Sequence, residues 1–152
     1  MPDIERNASV QPGFTLTETA AMKLLQAGIK KAEELEIKAA VAVVDQSGRL
    51  LAFIRMTGSF LVSSELAQKK ACTSAGMGVA SVQLESMLDS AEPRVLSGLS
   101  NCDGFTVIGG GVPLYWDEVL VGGIGVSGGS EDQDIQCAQA AAVHINLAQA
   151  PS

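Results

Sequence analysis

Hydrophobic residues recur at intervals of three and four between residues 18 and 36, which is the spacing of one face of an α-helix. The apolar and small positions of this face are Ala21, Leu24, Leu25, Gly28, Ala32 and Leu35. Just before them, Thr15 and Glu18 have the spacing of a capping box, in which a hydroxyl and a carboxylate satisfy free backbone N–H groups. The pattern predicts one amphipathic helix that begins near Thr15 and ends near Glu36.

A different pattern starts at residue 39, where apolar and β-branched residues become continuous. Residues 39–44 (AAVAVV) and 50–55 (LLAFIR) are separated by a short segment that begins Asp45-Gln46-Ser47-Gly48, a composition typical of tight turns. Two β-prone runs joined by so short a turn have to run antiparallel. We therefore expect a β-hairpin here.

The middle of the chain returns to helical patterns. Ser63 or Ser64 can cap a helix over residues 65–77, and a third, short helix is expected over 81–88. The polar and turn-forming residues from 89 to 103 then predict a loop.

The last third of the chain combines strand patterns with glycine-rich turns. Strands are expected over residues 105–108, 113–116 and 119–126, with Asp117 and Glu118 as the turn between the last two. Ser130 and Gln133 form a second capping box, which predicts a final helix that ends near Ala148.

The predicted order is therefore α-β-β-α-α-β-β-β-α. Five antiparallel strands with helices segregated from them indicate an α+β fold, a sheet flanked by helices in two or three layers. Residues 1–13 are predicted to form a flexible tail, and residues 14–150 a single domain.

Composition narrows the possible partners. The chain has 152 residues, with 10 basic against 17 acidic side chains and a net charge of −7. Such an acidic balance argues against nucleic acid, because binding to phosphate backbones depends on lysine and arginine. No apolar run is long enough for a membrane span, so we expect a cytoplasmic protein. Three cysteines without paired metal spacing indicate reduced thiols, and no metal site is expected.

The glycine-rich segments carry the first candidate chemistry. Gly125, Ser127 and Gly129 match the G-x-S-x-G pattern of a nucleophile elbow. His144, the only histidine, lies well inside the following helix, on the order of 20 Å away at about 1.5 Å per residue. A serine and its base need hydrogen-bond contact, so this spacing excludes a Ser-His triad within one chain. Tight backbone packing, an anion-binding nest and the close approach of a flat ligand remain as interpretations.

Charged side chains supply the remaining candidates. Arg55 ends the second predicted strand, and Lys70 lies among alanines on the second helix, where it faces either a cleft or solvent. Asp134 lies in the first turn of the last helix. His144 is either a packing residue or a ligand.

Four segments together resemble one known family. They are VAVVDQSGRLLAFIRM, ELAQKKACTSA, FTVIGGGVPL and VGGIGVSGGSEDQD, and they resemble the GlcG/HbpS/PduO C-terminal family of haem-binding or haem-degrading domains. The resemblance implies a profilin-like fold with a five-stranded antiparallel sheet, and a homo-oligomer between a dimer and an octamer. It also implies a small-molecule ligand, with haem as the candidate cofactor. Cofactor-binding candidates are Gly109, Gly110, Gly111, Ser127, Gly128, Gly129 and His144.

Three functions are compatible with these features. The first is a module that binds haem or a related tetrapyrrole. Any ligand pocket is expected where the Gly109–Gly111 turn, residues 127–134, Arg55 and Lys70 come together. The second is an isomerase, tautomerase or lyase, in which Arg55 or Lys70 orients an anionic substrate and Asp134 moves a proton. The third is an assembly subunit without a ligand, with Tyr115 and Trp116 as candidates for an interface.

Overall fold

The computed structural model describes residues 9–149, so residues 1–8 of the tail predicted over 1–13, and residue 150 of the predicted domain, lie outside this range. The α+β class is confirmed. The elements are α1 (Glu18–Glu34), β1 (Ala40–Asp45), β2 (Leu50–Arg55), α2 (Leu61–Met77), α3 (Leu84–Met87), α4 (Pro93–Ser100), β3 (Gly111–Trp116), β4 (Val119–Ser127) and α5 (Glu131–His144). A 3-10 turn at Ser81–Gln83 precedes α3.

The described residues form a four-stranded antiparallel sheet in the order β2-β1-β4-β3. The predicted fifth strand at 105–108 is wrong, because the backbone of this segment bonds to side chains instead of a neighbouring strand. Thr106 N donates to Thr73 Oγ1 at 2.9 Å, and Ile108 O accepts from Ser81 Oγ at 2.7 Å. A short apolar run predicts extended backbone but does not show what the backbone pairs with.

The predicted loop over residues 89–103 is also wrong, because it contains α4. Pro93 occupies the first turn of this helix, where its missing N–H costs nothing. Although its sequence is amphipathic, none of its residues is buried. The helix therefore lies at the periphery of the fold.

Helices cover both faces of the sheet, so the fold has three layers. The side chains of β1 alternate between the faces: Val41 and Val43 join the core under α1 and α5, and Ala40, Ala42 and Val44 join the core under α2. This arrangement places α2 and α5 on opposite sides of the same strands.

The helix ends differ in places from the predicted ones. Thr17 caps α1, where its hydroxyl accepts from Ala20 N at 3.2 Å, and Thr15 donates instead to the side chain of Gln46. The helix stops at Glu34, and Glu36 has a left-handed φ of 57°. The N-cap of α2 is Phe60, with no side-chain hydrogen bond, so the predicted serine cap is wrong.

At the other end of the chain, the capping box of Ser130 and Gln133 is confirmed. The helix it starts, α5, ends at His144, because Ala148 leaves the helical path and pairs with Leu114 of β3.

Candidate functional site

Helix α2 packs so closely on the sheet that it meets glycine instead of side chains. A Cβ on Gly125 would overlap the carbonyl oxygen of Ala67, and a Cβ on Gly111 would overlap that of Lys70. The facing residues of α2 are small, with Ala67, Ala71 and Ala75 buried. These glycines therefore serve the contact between helix and sheet, which is the interpretation of tight backbone packing.

The other candidate glycines are also surrounded by protein atoms. Gly110 has a φ of 121°, a conformation that favours glycine, and a Cβ there would lie 2.6 Å from Val126 O and 3.0 Å from Lys70 Nζ. At Gly109 a Cβ would meet the side chains of Ile135 and Glu131. A Cβ on Gly129 would meet Gln133 and Ile37, and one on Gly128 the backbone of residues 38–39. At each of these glycines, protein atoms occupy the position that a Cβ would take.

Lys70 and Asp134 meet at this point, although they come from α2 and α5 on opposite faces of the sheet. Lys70 Nζ lies 2.9 Å from Asp134 Oδ2 and donates to Val126 O at 2.9 Å. The second carboxylate oxygen of Asp134 accepts from Gly129 N at 2.9 Å. The exposed fractions of the two residues are 1% and 3%. The structure thus brings two of the three predicted catalytic residues together, inside the protein and away from solvent.

Arg55 lies apart from this pair. It is exposed at the end of the edge strand β2, where it is paired with Ala40, and Ala40 is in turn paired with Ser127 on its other side. Two strand spacings, roughly 10 Å, therefore separate the backbones of Arg55 and Ser127. Ser127 itself is buried.

His144 lies at the opposite end of α5 from Asp134 and is exposed. It borders an open groove of about 350 Å³ between α5 and α1. The other residues that line the groove are Lys23, Gln26, Ala27, Lys30, Lys31, Glu34 and Ala140. We refer to this surface as the α1–α5 groove. An adjoining depression of about 390 Å³ shares Lys31 and Ala140 with it and extends along α5 to Val143.

The lysines of the α1–α5 groove were not identified from the sequence. Lys23 and Lys30 are seven residues apart, close to two helical turns, so they lie on one side of α1. Exposed lysines are common on helices, and this spacing alone carries little information. Only the packing of α5 beside α1 shows that they share a groove with His144.

The three cysteines differ in environment. Burial raises the pKa of the Cys72 thiol, and Cys102 is exposed. Burial, together with the nearby negative charge of Asp134, raises the pKa of Cys137 to about 11. Within residues 9–149 we find no cluster of three histidine, cysteine or acidic residues that could hold a metal ion. No helix in the same range is long and apolar enough to cross a membrane.

The chain is similar to several characterised sequences. It is 37% identical over 146 residues to the corrinoid adenosyltransferase PduO of Citrobacter freundii, an alignment that covers 95% of this chain but 43% of that protein. It is 31% identical over 112 residues to the protein GlcG of Escherichia coli K12, covering 74% of this chain and 81% of GlcG. The chain thus spans less than half of the PduO relative.

Solved structures support the same relationship. A crystal structure of a PduOC–haem complex superposes with a TM-score of 0.80 at 35% identity, covering 89% of this chain and 99% of that one. The family model described as "Haem degrading protein HbpS-like" matches residues 16–143. The chain therefore belongs to the HbpS-like family, which confirms the resemblance to the GlcG/HbpS/PduO C-terminal family.

Proposed function

We propose that this protein binds haem in the α1–α5 groove, with the imidazole of His144 as the axial ligand. The observation that carries the proposal is the position of the only histidine of the chain, which is exposed at a groove lined by three lysines. Imidazole is a common protein ligand of haem iron, so His144 would hold the iron, and the bound haem would supply redox chemistry. The haem complex of the PduOC relative supports this choice of ligand.

The residues of the groove fit a tetrapyrrole in type and in arrangement. Ala27 and Ala140, both half-buried, add small apolar side chains to the lining of the groove. The adjoining depression adds the exposed Val143, so a flat ligand larger than the groove has more apolar surface to cover.

The groove lies on a rigid support. Helices α1 and α5 share one core of buried residues, which includes Leu24 and Ala32 from α1 and Ala138 and Ala141 from α5. Side chains on two packed helices keep their spacing better than side chains on loops. The chain therefore holds His144 and the lysines near one another before any ligand arrives.

The enzyme hypothesis has less support from the geometry. Lys70 and Asp134 do contact each other, but both are almost fully buried and Arg55 lies elsewhere. A substrate could reach the pair only if the elements that enclose it moved apart. We therefore propose that the pair stabilises the fold, and that Arg55 has no part in it. Self-association, which the family resemblance implies, stays a prediction that light scattering can test against the 15.7 kDa of one chain.

A haemin titration tests the proposed function. We expect the wild-type protein to sharpen and shift the Soret band of haemin, and we expect His144→Ala to lose this shift, because the axial nitrogen is removed. Asp132→Ala is the matched control, since Asp132 is exposed at the other end of α5. Both variants should unfold within about 0.5 kcal/mol of wild type, as is usual for exposed positions.

Two results would contradict the proposal in different ways. If wild-type protein leaves the haemin spectrum unchanged, haem is not the ligand. If His144→Ala keeps the full Soret shift, haem binds elsewhere or through another side chain.

A further inference from the structure

The α1–α5 groove concentrates positive charge on an acidic protein. Three of the six lysines of the chain line it, although the net charge of the whole molecule is −7. A protein with this net charge repels anions at long range. A local cluster of lysines is therefore needed wherever an anionic ligand has to be retained.

The three lysines are not equivalent. Lys31 Nζ lies 3.4 Å from the carboxylate of Glu34, so part of its charge is already compensated. Lys23 and Lys30 form no ion pair with any residue between 9 and 149, and both are exposed. Two uncompensated ammonium groups thus remain on this side of α1.

The spacing of these two groups suits a ligand with two acidic arms. Seven residues correspond to a rise of about 10 Å along α1, and the long flexible lysine stems shorten or lengthen this span. Ala27 lies between them and leaves the space above it open. His144 borders the same groove from α5, on the other helix.

We infer that the α1–α5 groove selects tetrapyrroles with free carboxylates, and that Lys23 and Lys30 bind the two propionate groups. The inference rests on the proposed haem binding and names the chemical class that the same groove accepts. His144 provides the contact to the iron. Lys23 and Lys30 select the substituents at the edge of the ring, because they bind carboxylates. Lys31 contributes less because Glu34 already compensates it.

Paired titrations with haemin and haemin dimethyl ester, followed at the Soret band, test the inference. The ester has the same ring and iron but no free carboxylates. We expect the double variant Lys23→Gln/Lys30→Gln to bind haemin about 3- to 30-fold more weakly, as expected for losing two exposed ion pairs. The position of the Soret band should not change, because His144 is still present. Binding of the ester should be equal in wild type and double variant.

One single variant is a matched control. Lys69→Gln should have no effect, because Lys69 lies on α2 and pairs with Glu65 at 3.0 Å. Raising the salt concentration should weaken binding of haemin but not of the ester.

The outcomes separate this inference from the proposed function. If the wild type gives no Soret change with either compound, the proposed function is wrong and the inference with it. If haemin binds with a normal Soret shift and equal affinity to wild type and double variant, the inference alone is wrong. Equal affinity of the wild type for haemin and its ester would also show that the inference alone is wrong.

Discussion

Two regions of this molecule use α5 in opposite ways. At its first turn, Asp134 meets Lys70 in a closed centre surrounded by glycines and the sheet. At its last turn, His144 lies in the open α1–α5 groove beside Lys23 and Lys30. Each region contains lysine and another ionisable side chain, one lysine in the closed centre and three in the groove. They differ in exposure, and exposure decides whether such groups stabilise the fold or remain available to a ligand.

Burying the two charges of the closed centre costs free energy. Two charges lose their hydration when they are buried, and their attraction offsets this cost only with good geometry and further hydrogen bonds. Here Val126 O and Gly129 N supply those additional bonds. Gly110 leaves the room that the ammonium group needs, because a Cβ there would lie 3.0 Å from Lys70 Nζ. In the groove, by contrast, the ammonium groups of Lys23 and Lys30 are exposed and stay solvated by water.

The largest difference between the regions should appear when one partner of the buried pair is removed. Lys70→Met or Asp134→Leu should lower the free energy of unfolding by about 3–5 kcal/mol, because each leaves an uncompensated buried charge. The double variant should recover much of this loss. Urea unfolding followed by circular dichroism at pH 7 measures the three values.

The exposed Lys69 offers the matched control for that series. Lys69→Met should cost less than about 1 kcal/mol, as is usual for a surface ion pair. A loss below 1 kcal/mol for Lys70→Met as well would show that the centre is not the stabilising element described here.

A smaller effect should distinguish glycines that contact α2 from glycines that do not. Gly125→Ala should cost about 1–3 kcal/mol, because the new methyl group overlaps Ala67 O and forces α2 away from the sheet. Gly76→Ala adds the same methyl group inside α2, where no atom lies within 4 Å, and should stabilise by about 0.5–1 kcal/mol. Thermal unfolding of the two variants compares them directly. Because the expected changes have opposite signs, a change of the same sign in both variants would contradict this explanation.

The smallest effect concerns alkaline pH. The pKa of Cys137 is raised from 9.0 to about 11 by burial first and by Asp134 second, so the folded state holds this proton more tightly than the unfolded state does. The resulting stabilisation is complete below pH 9 and is lost as the pH rises through 11. Linkage predicts a loss of about 1 kcal/mol by pH 10.

Comparison with Cys137→Ala isolates this contribution from other groups that titrate in the same range. The free energy of unfolding is measured for both proteins at pH 8 and pH 10, and the decrease should be larger for wild type. Identical decreases would mean that the thiol near Asp134 does not titrate differently in the folded state.

Much of the local structure follows from the sequence because it depends on neighbouring residues. The hairpin of β1 and β2, the turn at Asp117 and Glu118, and the capping box at Ser130 need only alternation, turn chemistry and short-range hydrogen bonds. The expected strand at 105–108 failed because its N–H and C=O groups find partners on α2 and beside α3, and no local pattern shows that. The sequence analysis predicts a loop where α4 lies, because a helix of eight residues that contains Pro93 and Gly98 gives only a short periodic pattern, although that pattern is amphipathic.

The sequence by itself determined the helix and strand patterns, the family and the candidate residues, because each of these depends on residue type and short spacing. Only the tertiary structure decided what the candidates do. Lys70 and Asp134 are 64 positions apart, and the glycines that let α2 approach the sheet are what bring them into contact. Lys23 and His144 are farther apart still and share a groove because α1 and α5 pack on the same face of the sheet. Burial and contact are properties of the packed chain, and they separate a stabilising charge from one that is free to bind.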